Sequence, residues 1–247
     1  MKIIASYNIK GGVGKTAAAV NLSYLAAQDG ARTLIWDLDP QGAASFYFRI
    51  SVAHKKAGKQ LIDQKTPMDD MIKGTDFDNL DLIASNISYR HMDLYLDALK
   101  KPLNHIKKLL TPLQDEYDYV FLDCPPSISL VSESVFKASD MLLVPTIPTT
   151  LSIRTLEQLA NFLKKQKIDT HIIVPFFSMV DRRKNLHRNI IANPSIETIN
   201  ILKAAIPYAS EVEQMGIHRT PIFSYAKQSQ VAGAYKKLWR EIKEILE

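Results

Sequence analysis

Short apolar runs that close on a polar or acidic residue recur along the chain, separated by stretches long enough to hold a helix. Ile3–Tyr7, Arg32–Asp37, Asn79–Asn86, Tyr117–Asp123, Met141–Val144 and Ile172–Ser178 read as strands, most of them apolar on both faces as strands of a parallel sheet are. Between them, Ala17–Leu22 opens a helix that ends at Gly30. Ser152–Lys165 repeats Ile153, Leu156, Leu159, Ala160 and Leu163 at helical spacing. Further helices are expected around Val131–Ala138 and from about His91 to Leu110, the latter punctuated by Pro102. Pro145 and Pro148 are expected to deny further ladder bonding, and Pro175 to place its strand towards an edge or distort it. Phe46–Asp78 carries the weakest pattern: aromatic Phe46-Tyr47-Phe48, basic His54-Lys55-Lys56, then a polar stretch expected to form loops and short helices. The alternation of strand and helix predicts an α/β fold with a parallel sheet.

Composition narrows this picture. The 247 residues, 46% of them hydrophobic, are enough for one large core, so a single domain over 1–247 is expected. There is no apolar run of membrane-spanning length and the chain opens on a strand rather than a basic-then-apolar leader, which leads to the expectation of a cytoplasmic protein. The single cysteine, Cys124, excludes internal disulfides and a cysteine-built metal site within one chain. A net charge of +5 suggests an anionic partner, nucleic acid first.

The chemistry concentrates at the first strand, which runs into Lys10-Gly11-Gly12-Val13-Gly14-Lys15-Thr16-Ala17 and then into helix. Glycines let backbone N–H groups close on anionic oxygens, the helix turns its positive end to the same point, Lys15 adds a charge, and the Thr16 hydroxyl can hold Mg²⁺. The order is that of a nucleoside triphosphate site, although Ile9 stands where the strict phosphate-loop pattern has glycine. Two later strands end on carboxylates, Asp37 and Asp123, which places both on the same rim as the loop. An apolar strand delivering Asp123 is the arrangement in which a carboxylate supports a water of the Mg²⁺ shell.

The early lysine gives the site its identity. Lys10-Gly11-Gly12-Val13-Gly14-Lys15-Thr16 resembles the deviant Walker A box of the ParA/MinD superfamily of partitioning and positioning ATPases; Asp37-Leu38-Asp39-Pro40-Gln41-Gly42 resembles its switch I, and Asp123-Cys124-Pro125-Pro126-Ser127 its switch II. The resemblance implies a doubly wound, mostly parallel sheet with helices on both faces, the P-loop NTPase fold. It implies an ATP hydrolase using ATP and Mg²⁺, with Lys15 and the loop amides on the phosphates and Lys10 crossing to the partner's nucleotide in an ATP-bound homodimer. Asp39 would lie by the γ-phosphate and place the attacking water, and the metal set would be Thr16, Asp37, Asp39 and Asp123. Ser178 and Pro207 are carried over as nucleotide contacts. Cys124, inside switch II, is expected to be small, buried and inert.

In the family such a protein positions or partitions cargo (plasmid, chromosome or protein assembly) over a nucleoid-like matrix, stimulated by a ParB-like or cargo-adaptor partner. Arg182, Arg183, Lys184 and Arg188 resemble the basic loop that would meet non-specific DNA, with Lys236, Lys237 and Arg240 as further candidates. Three departures matter. Ala17 replaces a hydroxyl expected near the α-phosphate, Tyr208 and Glu211 replace two arginines associated with chromosome binding, and one cysteine is too few for the iron-protein branch. The alternatives are a MinD-like membrane-surface ATPase, for which the amphipathic Val231–Glu247 would be the anchor, and a P-loop small-molecule ligase. The membrane is the less favoured matrix, because the resemblance assigns that segment to the last core helix.

Overall fold

The computed structural model describes residues 1–51, 57–64, 66–194 and 199–247; His54, Lys55 and Lys56 of the basic run lie outside them. In chain order the elements are β1 (Lys2–Ser6), α1 (Lys15–Gln28), β2 (Thr33–Asp37), α2 (Ala43–Tyr47), α3 (Ala57–Ile62), β3 (Ile72–Gly74), β4 (Leu80–Ile83), α4 (Met92–Asp97), α5 (His105–Leu110) and β5 (Tyr119–Asp123). They continue as α6 (Leu130–Ala138), β6 (Met141–Thr146), α7 (Thr150–Lys165), β7 (Ile173–Val180), α8 (Asn185–Ala192), β8 (Ala205–Pro207), α9 (Ser210–His218) and α10 (Gln230–Leu246).

The strands form one eight-stranded sheet in the order β3-β4-β2-β5-β1-β6-β7-β8, parallel except for β3. Successive side chains of each central strand enter opposite faces, as the strand period requires. Leu34 and Trp36 of β2, Val120 and Leu122 of β5, and Leu142 of β6 pack into the layer with Tyr7, Val135 and Phe136. Their neighbours Ile35, Phe121 and Leu143 pack into the other, with Val20, Leu22, Phe176, Leu238 and Trp239. Helices therefore cover both faces, which is why the strands read as continuous apolar runs rather than alternating ones.

Three details depart from expectation. Pro145 lies inside β6, paired with Phe176, beyond the point where β1 stops pairing at Leu143, so its missing N–H falls where no β1 residue is left to pair with it. Pro175, by contrast, lies towards an edge as expected, in the penultimate strand. Its carbonyl accepts from Leu202 N at 2.9 Å on the side where β8 starts to pair only at Phe177, so the lost donor on that side interrupts no ladder. Within 46–78, Ile72–Gly74 adds an antiparallel edge strand where only loops and short helices were expected. The basic stretch after β7 is also half helical, since α8 begins at Asn185 and buries His187.

The ends of the elements follow from local chemistry. Gly30, at φ +89°, takes the left-handed position after α1 that a side chain would strain. Thr149 caps α7 by accepting from Ser152 N. α10 buries Tyr235, Leu238, Trp239 and Ile242, and Asp29 ties it to α1 by accepting from Trp239 Nε1 at 2.9 Å and from Lys243 Nζ at 2.6 Å. The apolar stripe that resembles a membrane anchor is thus spent on the core. Among the described residues no helix is long and apolar enough to cross a membrane.

Candidate nucleotide site

Adjacent strands bring the predicted residues to one rim. Asp37 and Asp123 are register partners on β2 and β5, and Ser6, the last residue of β1, is the partner of Asp123 on the other side. The glycine loop leaves β1 from the same edge. Gly12 (φ +70°) and Gly14 (φ +96°) adopt conformations that L side chains rarely take, and a Cβ on Gly14 would lie 2.9 Å from Ser178 Oγ. The loop is pinned from below: Ser6 Oγ donates to Lys15 O at 2.9 Å, Asn8 Oδ1 accepts from Lys10 N at 2.9 Å, and Asn8 Nδ2 donates to Pro145 O at 2.8 Å. These three contacts hold the turn open for an anion before one arrives.

Above the loop lies a cavity of about 440 Å³ lined by Gly11, Gly12, Gly14, Lys15, Thr16, Ala17 and Asp39 at one end, with Ser178 and Pro207 on its wall. The Val13 side chain is buried under the loop. Lys15 is itself buried, and its ammonium donates to Lys10 O at 3.0 Å across the loop. Burial pulls it below the usual lysine range, partly countered by the carboxylates of Asp123 and Asp39. A phosphate would replace that carbonyl with a charge-assisted partner.

The carboxylates differ sharply in surroundings. Asp123 is fully buried; Thr16 lies against it, yet neither of its oxygens has a hydrogen bond of normal geometry. Burial, with Asp37 and Asp39 nearby, holds it well above the ordinary carboxylate range. A buried carboxylate left without donors is costly on its own and suits a cation or its water shell. Asp37 is held by donors of the protein itself. Its Oδ2 accepts from Ser45 N at 2.8 Å and Ser45 Oγ at 2.7 Å, and its Oδ1 from Asp39 N at 3.2 Å, so it fastens the start of α2 and orients Asp39. Burial pushes its pKa up to about 6 despite these donors. Asp39 is half exposed, accepts from Gln41 N at 2.9 Å, and lines the cavity.

Lys10 takes a different direction from Lys15. Its ammonium rests 3.4 Å from Ser152 Oγ at the start of α7, outside the walls of the cavity its own loop builds. Among the described residues, then, the loop supplies one lysine inward and one outward.

This geometry can be set beside known proteins. Residues 1–174 match the AAA domain family. The sporulation initiation inhibitor protein Soj of Bacillus subtilis is 30% identical over 247 residues, covering 98% of each chain. The chromosome-partitioning ATPase Soj of Treponema pallidum is 28% identical, covering 98% of this chain and 96% of its own. The chain belongs to the ParA/MinD superfamily. It is an ATPase of that superfamily. Solved structures agree in fold: apo McdA of Cyanothece superposes with a TM-score of 0.82 at 22% identity over the full length of both chains. Cobyrinic acid a,c-diamide synthase of Mycobacterium smegmatis, with an ATP analogue and magnesium bound, reaches 0.84 at 22% identity, covering 100% of this chain and 96% of its own. At that identity the likeness of a synthase speaks for the fold alone, while the Soj relatives decide the family.

Several residues that build this ParA/MinD site carried no signal in the sequence. Ser45 and Ser152 are ordinary serines until the fold brings them to Asp37 and Lys10, and Tyr47, Met179, Glu213 and Tyr235 join the cavity wall from four separate elements. Cys124 is fully buried beside Asp123, and burial pushes its thiol well above the usual range, as an inert residue requires.

Of the predicted cations, the structure brings Arg182 into a 250 Å³ cleft with Lys203 and Lys237, which shares Pro207 with the nucleotide cavity. Arg183 is instead clamped to Asp181, Nε at 2.9 Å and Nη2 at 3.0 Å, and Arg188 bonds Asn185 one turn away. Lys184 is exposed at the start of α8. All four side chains are exposed.

Proposed function

We propose that the protein is a dimerising ATPase that positions or partitions cargo over a DNA matrix, ATP closing a two-fold dimer and hydrolysis releasing it. The observation that carries this reading is the outward course of Lys10, since a cation that leaves its own cavity is free to meet a phosphate held by a second copy. Within one protomer, Lys15 and the loop amides neutralise the β and γ phosphates and Thr16 holds the metal, with Asp123 beside it. Bound beside Thr16 and Asp123, Mg²⁺ would supply positive charge against the phosphates. Asp39, hung from Asp37 and Ser45, orients the attacking water. We assign Asp37 to that positioning role rather than to the metal.

The buried carboxylate makes a separable prediction. Because Asp123 has a raised pKa in the fold, its charge costs stability at neutral pH that only a cation recovers. Asp123→Asn is expected to stabilise the nucleotide-free protein by roughly 1–2 kcal/mol, a rise in Tm of about 2–8 °C, and to remove the further rise that Mg²⁺ with ATP gives the parent. Thermal melts of both proteins with and without Mg²⁺-ATP check it; an unstable, Mg²⁺-responsive variant would refute the assignment.

DNA as the matrix is supported by the cleft of Arg182, Lys203 and Lys237, which a dimer would present twice. Affinity for arbitrary duplex is expected to rise with ATP and fall steeply between ~50 and ~200 mM salt. Arg182→Ala and Lys237→Ala should each reduce the salt slope by about one, and Arg183→Ala by less, because Asp181 already holds that guanidinium. A gel-shift titration with unlabelled competitor reads both. Absence of an ATP-dependent shift at ~50 mM salt would remove DNA and favour a membrane or protein matrix. A cargo adaptor that stimulates hydrolysis completes this proposal.

A further inference from the structure

We propose that Glu213, steadied by Tyr208, reads the exocyclic amine of the adenine and makes the cavity selective for ATP over GTP. The inference rests on the reading of the cavity as an ATP site and adds what recognises the base.

A triphosphate anchored on Gly11–Ala17 leaves its base the far wall, where Pro207, Ala209, Val212 and Tyr235 form a largely apolar slot suited to a purine face. Two carboxylates line the cavity, Asp39 by the phosphate loop and Glu213 from the first turn of α9. A carboxylate beside a polyanion is repulsive unless it meets a donor, and at the far end a nucleotide offers its base amine or its ribose hydroxyls. Tyr208 Oη donates to Glu213 Oε1 at 2.6 Å, and among the described residues no donor takes Oε2. The loop bearing Tyr208 is itself tied to β7, Tyr208 N donating to Val180 O at 3.0 Å. Tyr208 is 53% exposed and lines the cavity, where its ring can cover a base. The carboxylate, exposed on α9 and steadied at one oxygen by Tyr208, presents the other as an acceptor. Adenine carries a donor at C6 where guanine carries an acceptor, so an oxygen held at C6 attracts one and repels the other, and guanine could use its N1–H and N2 donors only by shifting in the slot. The replacement of an arginine by Tyr208, which weakens the case for chromosome binding, here supplies the hydroxyl that orients Glu213.

Calorimetric titration of ATP, GTP and 2′-deoxy-ATP with Mg²⁺ into the parent, Glu213→Gln, Tyr208→Phe and Lys15→Ala tests this. The parent is expected to prefer ATP over GTP by about 100-fold. Glu213→Gln, whose amide can turn to accept or donate, should bring that ratio to within about threefold, chiefly by gaining GTP. Tyr208→Phe keeps the ring, loses the clamp and should give an intermediate ratio near tenfold. An unchanged ATP to GTP ratio in Glu213→Gln overturns the proposal. So does a changed ratio of ATP to 2′-deoxy-ATP in that variant, which would put the carboxylate on the ribose. Equal binding of ATP and GTP by the parent, abolished by Lys15→Ala, overturns base reading and leaves the ATPase reading intact. No triphosphate binding at all overturns both.

Discussion

Lys15→Ala and Lys10→Ala are expected to fail in different ways. Lys15 is buried in the loop with its ammonium facing a carbonyl that a phosphate would displace. Its removal deletes a charge-assisted contact of roughly 1.5–3 kcal/mol, a loss of about 10- to 150-fold in ATP affinity. Lys10 reaches away from the cavity to Ser152, so its removal should leave ATP affinity within about threefold of the parent. Hydrolysis by Lys10→Ala should nonetheless fall by about a thousandfold or more, the scale of a cation delivered across an interface to the transferring phosphoryl group. Titration calorimetry and a phosphate-release assay on the two variants separate binding from turnover. Equal loss of affinity in both would make Lys10 an ordinary loop lysine.

Asp39→Ala should produce the opposite imbalance, binding retained and turnover lost. The carboxylate lines the cavity at the phosphate end, and its backbone N–H is held by Asp37, which Ser45 in turn fixes. Removing a group that orients the attacking water costs about 10²- to 10⁴-fold in rate and should leave the ATP-bound dimer long-lived. Ser45→Ala deletes one of the two donors to Asp37 Oδ2 and leaves Asp39 in place but less well held, so a smaller loss of rate with unchanged ATP affinity is expected. A single-turnover measurement in which Asp39→Ala matches the parent would remove it from the mechanism.

The strands and the phosphate loop were legible because their signals are local: a run of apolar residues, a glycine pair, a carboxylate at a strand end. Asp37, Asp39 and Asp123 were found for that reason, and their differences were not. Whether a strand-end aspartate meets a cation or a serine depends on Ser45, eight residues past Asp37 and brought back by the turn into α2. The far wall of the cavity was legible only in part, since Tyr47, Glu213 and Tyr235 come from helices that the sequence spaces far apart. The basic residues were legible as a sequence group, Arg182, Arg183, Lys184 and Arg188, but their neighbours were not: Asp181 pairs with Arg183, and Lys203 and Lys237 join Arg182 in one cleft. Pro145 read as the end of a strand, but a missing N–H matters only on a side that pairs, and the sheet leaves that side open; Pro175 lies towards the edge, as its position suggested.

Light scattering of the parent and of Lys10→Ala, each with a non-hydrolysable ATP analogue, with ADP and without nucleotide, tests the central claim most directly. The parent should run as a 27.9 kDa monomer without nucleotide and with ADP, and at about twice that mass with the analogue. Lys10→Ala should bind the analogue and stay monomeric. A parent whose mass ignores nucleotide, or a Lys10→Ala protein that dimerises with the analogue as the parent does, would contradict the account.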